Sequence, residues 1–226
     1  MKAKIIHVLC EGQTEQGFVE EVLRPYLQAH GVAGVKSILI TTNKKRMPVV
    51  ECWLTVELLR KMKPDGEYER HIFTTMFDLY ALPNDFPDYE AAKALGEPYK
   101  RVAALETAFA KAINDERFIP YIQLHEFEAL LFCGIEHLAK RYPGCEGRCE
   151  QLRKDLEKAG NPELINNSPK TAPSKRIIKA IEGDKKRHYN YNKPVTGKEV
   201  TKSVGIDGLR TQCKHFDEWI KKLINC

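Results

Sequence analysis

An apolar run broken only by His7 (Ile5, Ile6, Val8, Leu9) passes straight into the acidic turn Cys10-Glu11-Gly12-Gln13-Thr14-Glu15, and this junction limits the folds open to the chain. A run without polar alternation suits a strand covered on both faces, as in a parallel sheet. Behind the turn, Phe18, Val22 and Tyr26 recur every fourth residue, which predicts a helix with these side chains inward and Thr14 as its cap. Ligands of open α/β sheets bind outside the carboxyl ends of the strands, so Glu11 stands where chemistry would be done. Gly12 lets the backbone turn sharply and keeps a side chain away from that carboxylate. The turn has neither the glycine and lysine pattern of a P-loop nor a dinucleotide fingerprint, so it reads as a metal or proton-transfer site. The plainer reading is that Glu11 only complements the helix dipole.

The same junction recurs along the chain. Residues 35–42 (VKSILITT) form a second β-branched run, and residues 71–77 (HIFTTMF) a third, which delivers Asp78 as the first delivers Glu11. Residues 118–124 make a fourth strand that leads into His125-Glu126-Phe127-Glu128, so Glu126 and Glu128 also fall near a strand end. Helical patterning at residues 49–62 and at residues 99–113, through Val102, Leu105, Ala108 and Phe109, separates these strands. The alternation predicts an α/β fold with a central, mostly parallel four-stranded sheet and right-handed crossovers. From Gly134 the pattern changes to short helices and polar loops, with a closing helix at residues 216–224. The expected division is therefore an α/β core over residues 1–133 and a helical extension over residues 134–226 packed on it.

With 226 residues, 30% charged and 42% hydrophobic, the chain has the composition of a soluble domain large enough to bury a substantial core. The opening apolar run is too short for a signal peptide or a membrane span, and no other segment approaches spanning length. Seven cysteines, mostly in apolar surroundings, point to a reducing cytoplasm rather than a disulfide framework. Cys145, Cys149, Cys213 and His215 match zinc-ligand spacings only loosely, so zinc is not expected. Cys10 has no basic partner and reads as buried packing, and His125 reads as a hydrogen-bonded structural residue in preference to a general base. The net charge of +5 is modest, but basic residues cluster at Lys44-Lys45-Arg46, at Lys175-Arg176 and at Lys185-Lys186-Arg187, the last followed by Tyr189, Tyr191 and Lys193. Such stretches can track phosphates and stack bases; they are equally well explained as solvated ends with aromatic anchors.

Five separated stretches, EGQTEQGFVEEVL, TTMFDLYALPNDFP, RFIPYIQLHEFEALLF, TAPSKRI and GIDGLRTQCKHFDEWIKKL, together resemble the bacterial family catalogued as domain of unknown function 4276, over nearly the whole chain. The resemblance implies a Toprim-like three-layer fold, a place in phage-defence or mobile-element loci, and a P-loop ATPase encoded nearby as partner. It matches the Toprim glutamate to Glu11 and the first aspartate of the Asp-x-Asp pair to Asp78, but Tyr80 stands where the second aspartate belongs. Asp85, Asp88, Glu126 and Glu128 are the candidates to replace it. The leading expectation is a nuclease dependent on Mg2+ or Mn2+ and acting on DNA or RNA, because several carboxylates at strand ends repel one another unless a cation neutralises them. Its metal ligands would be Glu11, Asp78, Glu126 and Glu128, with Glu11 also relaying a proton and Lys175 acting in catalysis. Nucleic acid would be held by Lys44, Lys45, Arg46, Lys175, Arg176, Lys186 and Arg187. The alternatives are a non-catalytic subunit docking on an ATPase and, further off, a small-molecule phosphohydrolase.

Overall fold

The first strand, β1 (Ala3–Cys10), lies inside the sheet, pairing in parallel with β2 (Gly34–Leu39) on one side and β3 (Glu69–Asp78) on the other. A computed structural model of the protein describes residues 2–40, 58, 61–166, 169–183 and 188–226. The strand order is β2-β1-β3-β4, with β5 also pairing with β3, and every pairing described is parallel. The single strand expected at residues 118–124 is two short ones, β4 (Phe118–Ile119) and β5 (Ile122–Gln123). Pro120 sits at the break and has no N–H to give the ladder. A side chain bridges the gap: Thr75 Oγ1 accepts from the Tyr121 N–H (3.0 Å) and donates to the Tyr121 carbonyl (2.9 Å).

Alternation along the strands sends Ile6, Val8, Ile72 and Met76 into one core and Leu9, Phe73 and Phe77 into another, so both faces of the sheet are covered. The first core is closed by Phe18, Val22 and Leu27 from the segment after the acidic turn and by Phe216, Trp219 and Ile220. That segment runs as α1 (Gln13–Phe18), a π-helical turn (Val19–Leu23) and α2 (Arg24–Ala29). The widened turn lies just ahead of Pro25, whose ring would clash with the Glu21 carbonyl in a regular α-helix. Its cap is Gly12 rather than the expected Thr14. On the opposite face, after α3 (Tyr89–Lys93), Val102, Leu105 and Phe109 of α4 (Pro98–Ile113) pack on the sheet. Most of the helix expected over residues 49–62 lies outside the described residues.

The carboxyl-terminal part contributes α5 (Ile135–Arg141), α6 (Glu146–Ala159), α7 (Pro173–Glu182), α8 (Lys193–Gln212) and α9 (Lys214–Asn225). Among the described residues no strand follows Gly134. Helix α9 docks directly on the sheet: Trp219 Nε1 donates to Thr74 Oγ1 (2.8 Å), and Lys4 Nζ to the Ile224 carbonyl (2.8 Å). Buried Glu163 satisfies the start of α9 by accepting the N–H groups of His215 and Phe216, each at 3.0 Å. Residues on both sides of position 134 thus share one hydrophobic core. Helix α8 consists of two helical stretches that meet at a kink at Gly205 (φ 75°). It approaches α1 so closely at Gly197 that a Cβ there would lie 2.9 Å from Thr14 Cγ2 and 3.0 Å from Phe127 Cε1. This contact sets the amino end of α8 beside the strand ends. No described helix is long and apolar enough to cross a membrane.

Candidate functional site

Main-chain geometry ties the carboxylates at the ends of β1 and β3 to one another. The Asp78 N–H donates to Glu11 Oε2 (3.1 Å), the Phe127 N–H to Asp78 Oδ1 (2.8 Å), and the Ser174 N–H at the start of α7 to Glu126 Oε2 (3.0 Å). Each of these acids is anchored through one oxygen. Glu128, only 2% exposed in the 3-10 helix Phe127–Gly134, pairs with Lys193 Nζ at 2.8 Å. Lys193 is the first residue of α8, so the carboxyl-terminal helices contribute a cation to the site as well as covering the sheet.

A fifth acid joins them. Glu15, in the first turn of α1, is 6% exposed and accepts the Gly12 N–H at 2.9 Å. A Cβ at Gly12 would lie 3.1 Å from Glu15 Oε2, so a larger residue there would press on this carboxylate. Burial, followed by the charges of Glu11 and Glu128, lifts the Glu15 carboxyl from 4.5 to about 7. Burial also raises Asp78 well above the usual carboxylate range, reinforced by Glu15, Glu11, Glu128 and Glu126. Glu11 and Glu128 are raised for the same first reason, with the Asp78 N–H and Lys193 pulling Glu11 back and Lys193 opposing the rise of Glu128. Burial works against the Lys193 charge, but Glu128, Glu126 and Asp78 outweigh it and hold the ammonium above its ordinary range. The folded chain therefore concentrates more negative charge than it neutralises.

Glu11, Asp78, Glu126 and Glu128, singled out in the sequence, thus lie in one electrostatic neighbourhood. Asp85 and Asp88 are exposed, Asp88 in a left-handed conformation at the cap of α3, and the acids that press on Asp78 come from elsewhere. Among the described residues no three His, Cys, Asp or Glu side chains converge on one point, so the fit to a metal lies in the donor chemistry. An all-oxygen set suits a hard cation such as Mg2+ or Mn2+. The cysteines considered for zinc are engaged separately: Cys213 faces Cys133 (3.5 Å), the Arg148 guanidinium donates to Cys145 (3.1 Å), and His215 pairs with Glu106 (2.9 Å). Cys10 is fully buried and its thiol is pushed up by burial, as packing requires.

Lys175 and Arg176 follow Ser174 on α7. Lys175 is exposed, whereas Arg176 is held by Asp155 (2.6 Å) and the Thr171 carbonyl (2.8 Å). Both line a cleft of about 580 Å³ between α6 and α7, along with Arg148, Lys170 and Lys179. Lys44, Lys45, Arg46, Lys186 and Arg187 lie outside the described residues. Tyr189 and Tyr191 pack against the core, in keeping with an anchoring role. His125 departs from the structural part expected of it: it is 5% exposed, has a positive φ of 65°, and neither ring nitrogen has a hydrogen-bond partner. Burial, then the Arg101 charge, lowers its imidazole to about 4.

A model of the family described as Domain of unknown function (DUF4276) matches residues 10–224. No curated protein matches the chain. Among solved structures, the chain is similar to the C-terminal region of the OLD protein of Xanthomonas campestris pv. campestris, at 16% identity and a TM-score of 0.36, with 98% of this chain and 97% of that chain covered.

Proposed function

The chain belongs to the family described as domain of unknown function (DUF4276), and within it we propose a Toprim-like, divalent-metal-dependent phosphodiesterase that cuts DNA or RNA. The family description names no activity, so the reading rests on one observation: Glu11, Glu15, Asp78, Glu126 and Glu128 crowd the strand ends and burial raises Asp78, with these acids reinforcing the rise. Glu11 and Asp78, tied together by the Asp78 N–H, would hold Mg2+ or Mn2+ through the oxygens not taken by their main-chain donors, with water in the remaining positions and Glu126 acting from beside them. Such an ion, when bound, supplies Lewis acidity at a substrate phosphate. Glu15, with a carboxyl at about 7, is suited to take or give a proton at neutral pH, a role the sequence assigns to Glu11. Lys193 pairs with Glu128 and opposes the rise that burial imposes on its carboxyl, and Lys175 and Lys179 face a cleft where a phosphate backbone can lie. Lys44, Lys45, Arg46, Lys186 and Arg187, which lie outside the described residues, are proposed from the sequence as further contacts to nucleic acid, with a P-loop ATPase as partner.

Two observations favour the non-catalytic alternative, a subunit docking on such an ATPase: the Lys193–Glu128 pair already neutralises part of the cluster, and Tyr80 stands where a ligand would be expected. Cleavage assays separate the two. With Mg2+ or Mn2+, alone or with the neighbouring ATPase, the chain is expected to cut single- or double-stranded DNA or RNA, and Asp78→Asn and Glu11→Gln to reduce cutting to background. Lys175→Ala with Lys179→Ala should weaken binding and flatten its salt dependence. Metal-independent cutting, or none in any combination, contradicts the reading.

A further inference from the structure

Unpartnered buried polar atoms are few among the described residues, and most of them belong to one group. Of the eight buried side-chain nitrogens and oxygens that lack a hydrogen-bond partner among the described residues, five belong to four residues: Tyr80 Oη, Arg101 Nε, Asn166 Oδ1, and both nitrogens of His125. Buried polar groups are nearly always satisfied, so such a concentration marks a place built for something other than packing. The four residues act on one another. The Tyr80 ring lies against His125 (centroids 5.5 Å apart, planes at 40°), and the Tyr80 N–H donates to the His125 carbonyl (3.2 Å). The Asn166 amide acts on the Tyr80 phenol, and the Arg101 charge acts on both Tyr80 and His125.

The backbone points the same way. His125 is held at φ 65°, a left-handed conformation that few non-glycine residues adopt, and such conformations gather at functional sites. The neighbouring positions belong to the acidic cluster, since Tyr80 is two residues from Asp78 and His125 precedes Glu126. Arg101 stacks on the Tyr89 ring at 6.0 Å, and no carboxylate among the described residues pairs with it. The half-buried Arg101 guanidinium, the Tyr80 O–H and an imidazole N–H of His125 make a set of donors beside the Glu126 carboxylate, and a guanidinium among neutral donors is the chemistry that recognises phosphate.

We propose that Tyr80, Arg101, His125 and Asn166 form a second phosphate pocket, which holds a phosphate of the nucleic-acid strand next to the one at the acidic cluster. The pocket rests on the phosphodiesterase reading for the identity of its ligand, and its test is kept separate from that reading. The probe is a 5′-phosphorylated thymidine dinucleotide, titrated calorimetrically into the full chain without divalent metal, with 15N-histidine spectra recorded alongside. The wild type is expected to bind and to shift the His125 nitrogens. Arg101→Gln should weaken binding at least tenfold, Tyr80→Phe more mildly and Arg101→Lys least, while Asp78→Asn should leave binding equal or tighter. A metal-free melting transition and a circular dichroism spectrum of Arg101→Gln that match the wild type show that the variant folds. Undiminished dinucleotide binding in Arg101→Gln, or unmoved His125 resonances in the wild type, overturns the pocket. A chain that shows the Arg101-dependent binding but takes up no Mg2+ refutes the metal reading and leaves the pocket standing.

Discussion

Glu15 is pulled in two directions. The Gly12 N–H favours its anion, whereas burial and the charges of Glu11 and Glu128 favour the acid, and the balance brings its carboxyl to about 7. A group raised in this way binds more protons folded than unfolded between pH 4.5 and 7, so the stability it gives is present below that window and lost as the pH rises through it. For Glu15 alone the loss is about 3 kcal/mol, and Asp78 adds to it with the same sign. His7 and His125, both lowered to about 4 chiefly by burial, have the opposite sign and cost stability as the pH falls below 6.5. Comparing a variant with the wild type removes that contribution. Glu15→Gln is therefore expected to raise the metal-free Tm by several degrees at pH 8 and hardly at all at pH 4.5, followed by thermal denaturation. A uniform loss of Tm across the range would mean that Glu15 is only a helix-terminal charge. Glu11 and Asp78 were legible in the sequence because each ends an apolar run. Glu15 was not, because a helix dipole explains an acid in the first turn equally well, and Lys193 was hidden among the basic residues around it.

Among the elements, strands were the easiest to read: apolar runs placed β1 and β3 to within a residue or two. The fourth strand was misjudged because Pro120 was counted within a run that it divides. Helix α8 was the hardest, since Gly197, Gly205 and Gly208 dilute its pattern; the glycine at 197 is explained by packing that no local pattern reveals. Its close approach to Thr14 and Phe127 seats Lys193 on Glu128. Gly197→Ala gains about 1 kcal/mol in helix propensity but pushes a methyl into side chains that cannot move far, at a cost of about 1–3 kcal/mol. A net loss of stability in urea unfolding is expected, with weaker retention of Mg2+. A stabilised Gly197→Ala protein would show that the approach of α8 is looser than described.

At the scale of the molecule, the sequence suggests a core and an appendage, because its strands all come first. Space reorders them: α9 lies on β1 and β3, and α8 closes the strand ends, so the late helices are a layer of the sheet domain. A shared core predicts one cooperative unfolding transition, with far- and near-ultraviolet circular dichroism coinciding; two separated transitions would indicate independent units. The central claim is that this assembly gathers surplus carboxylate charge to receive a divalent cation. It is tested most directly by calorimetric titration of Mg2+ into the full chain at pH 7, in two buffers of different ionisation enthalpy. Because Glu15 and Asp78 are raised by burial and mutual repulsion, binding should release protons, giving a buffer-dependent heat, and Asp78→Asn should weaken binding at least about tenfold. No binding, or binding that releases no proton and is indifferent to Asp78→Asn, would contradict the account.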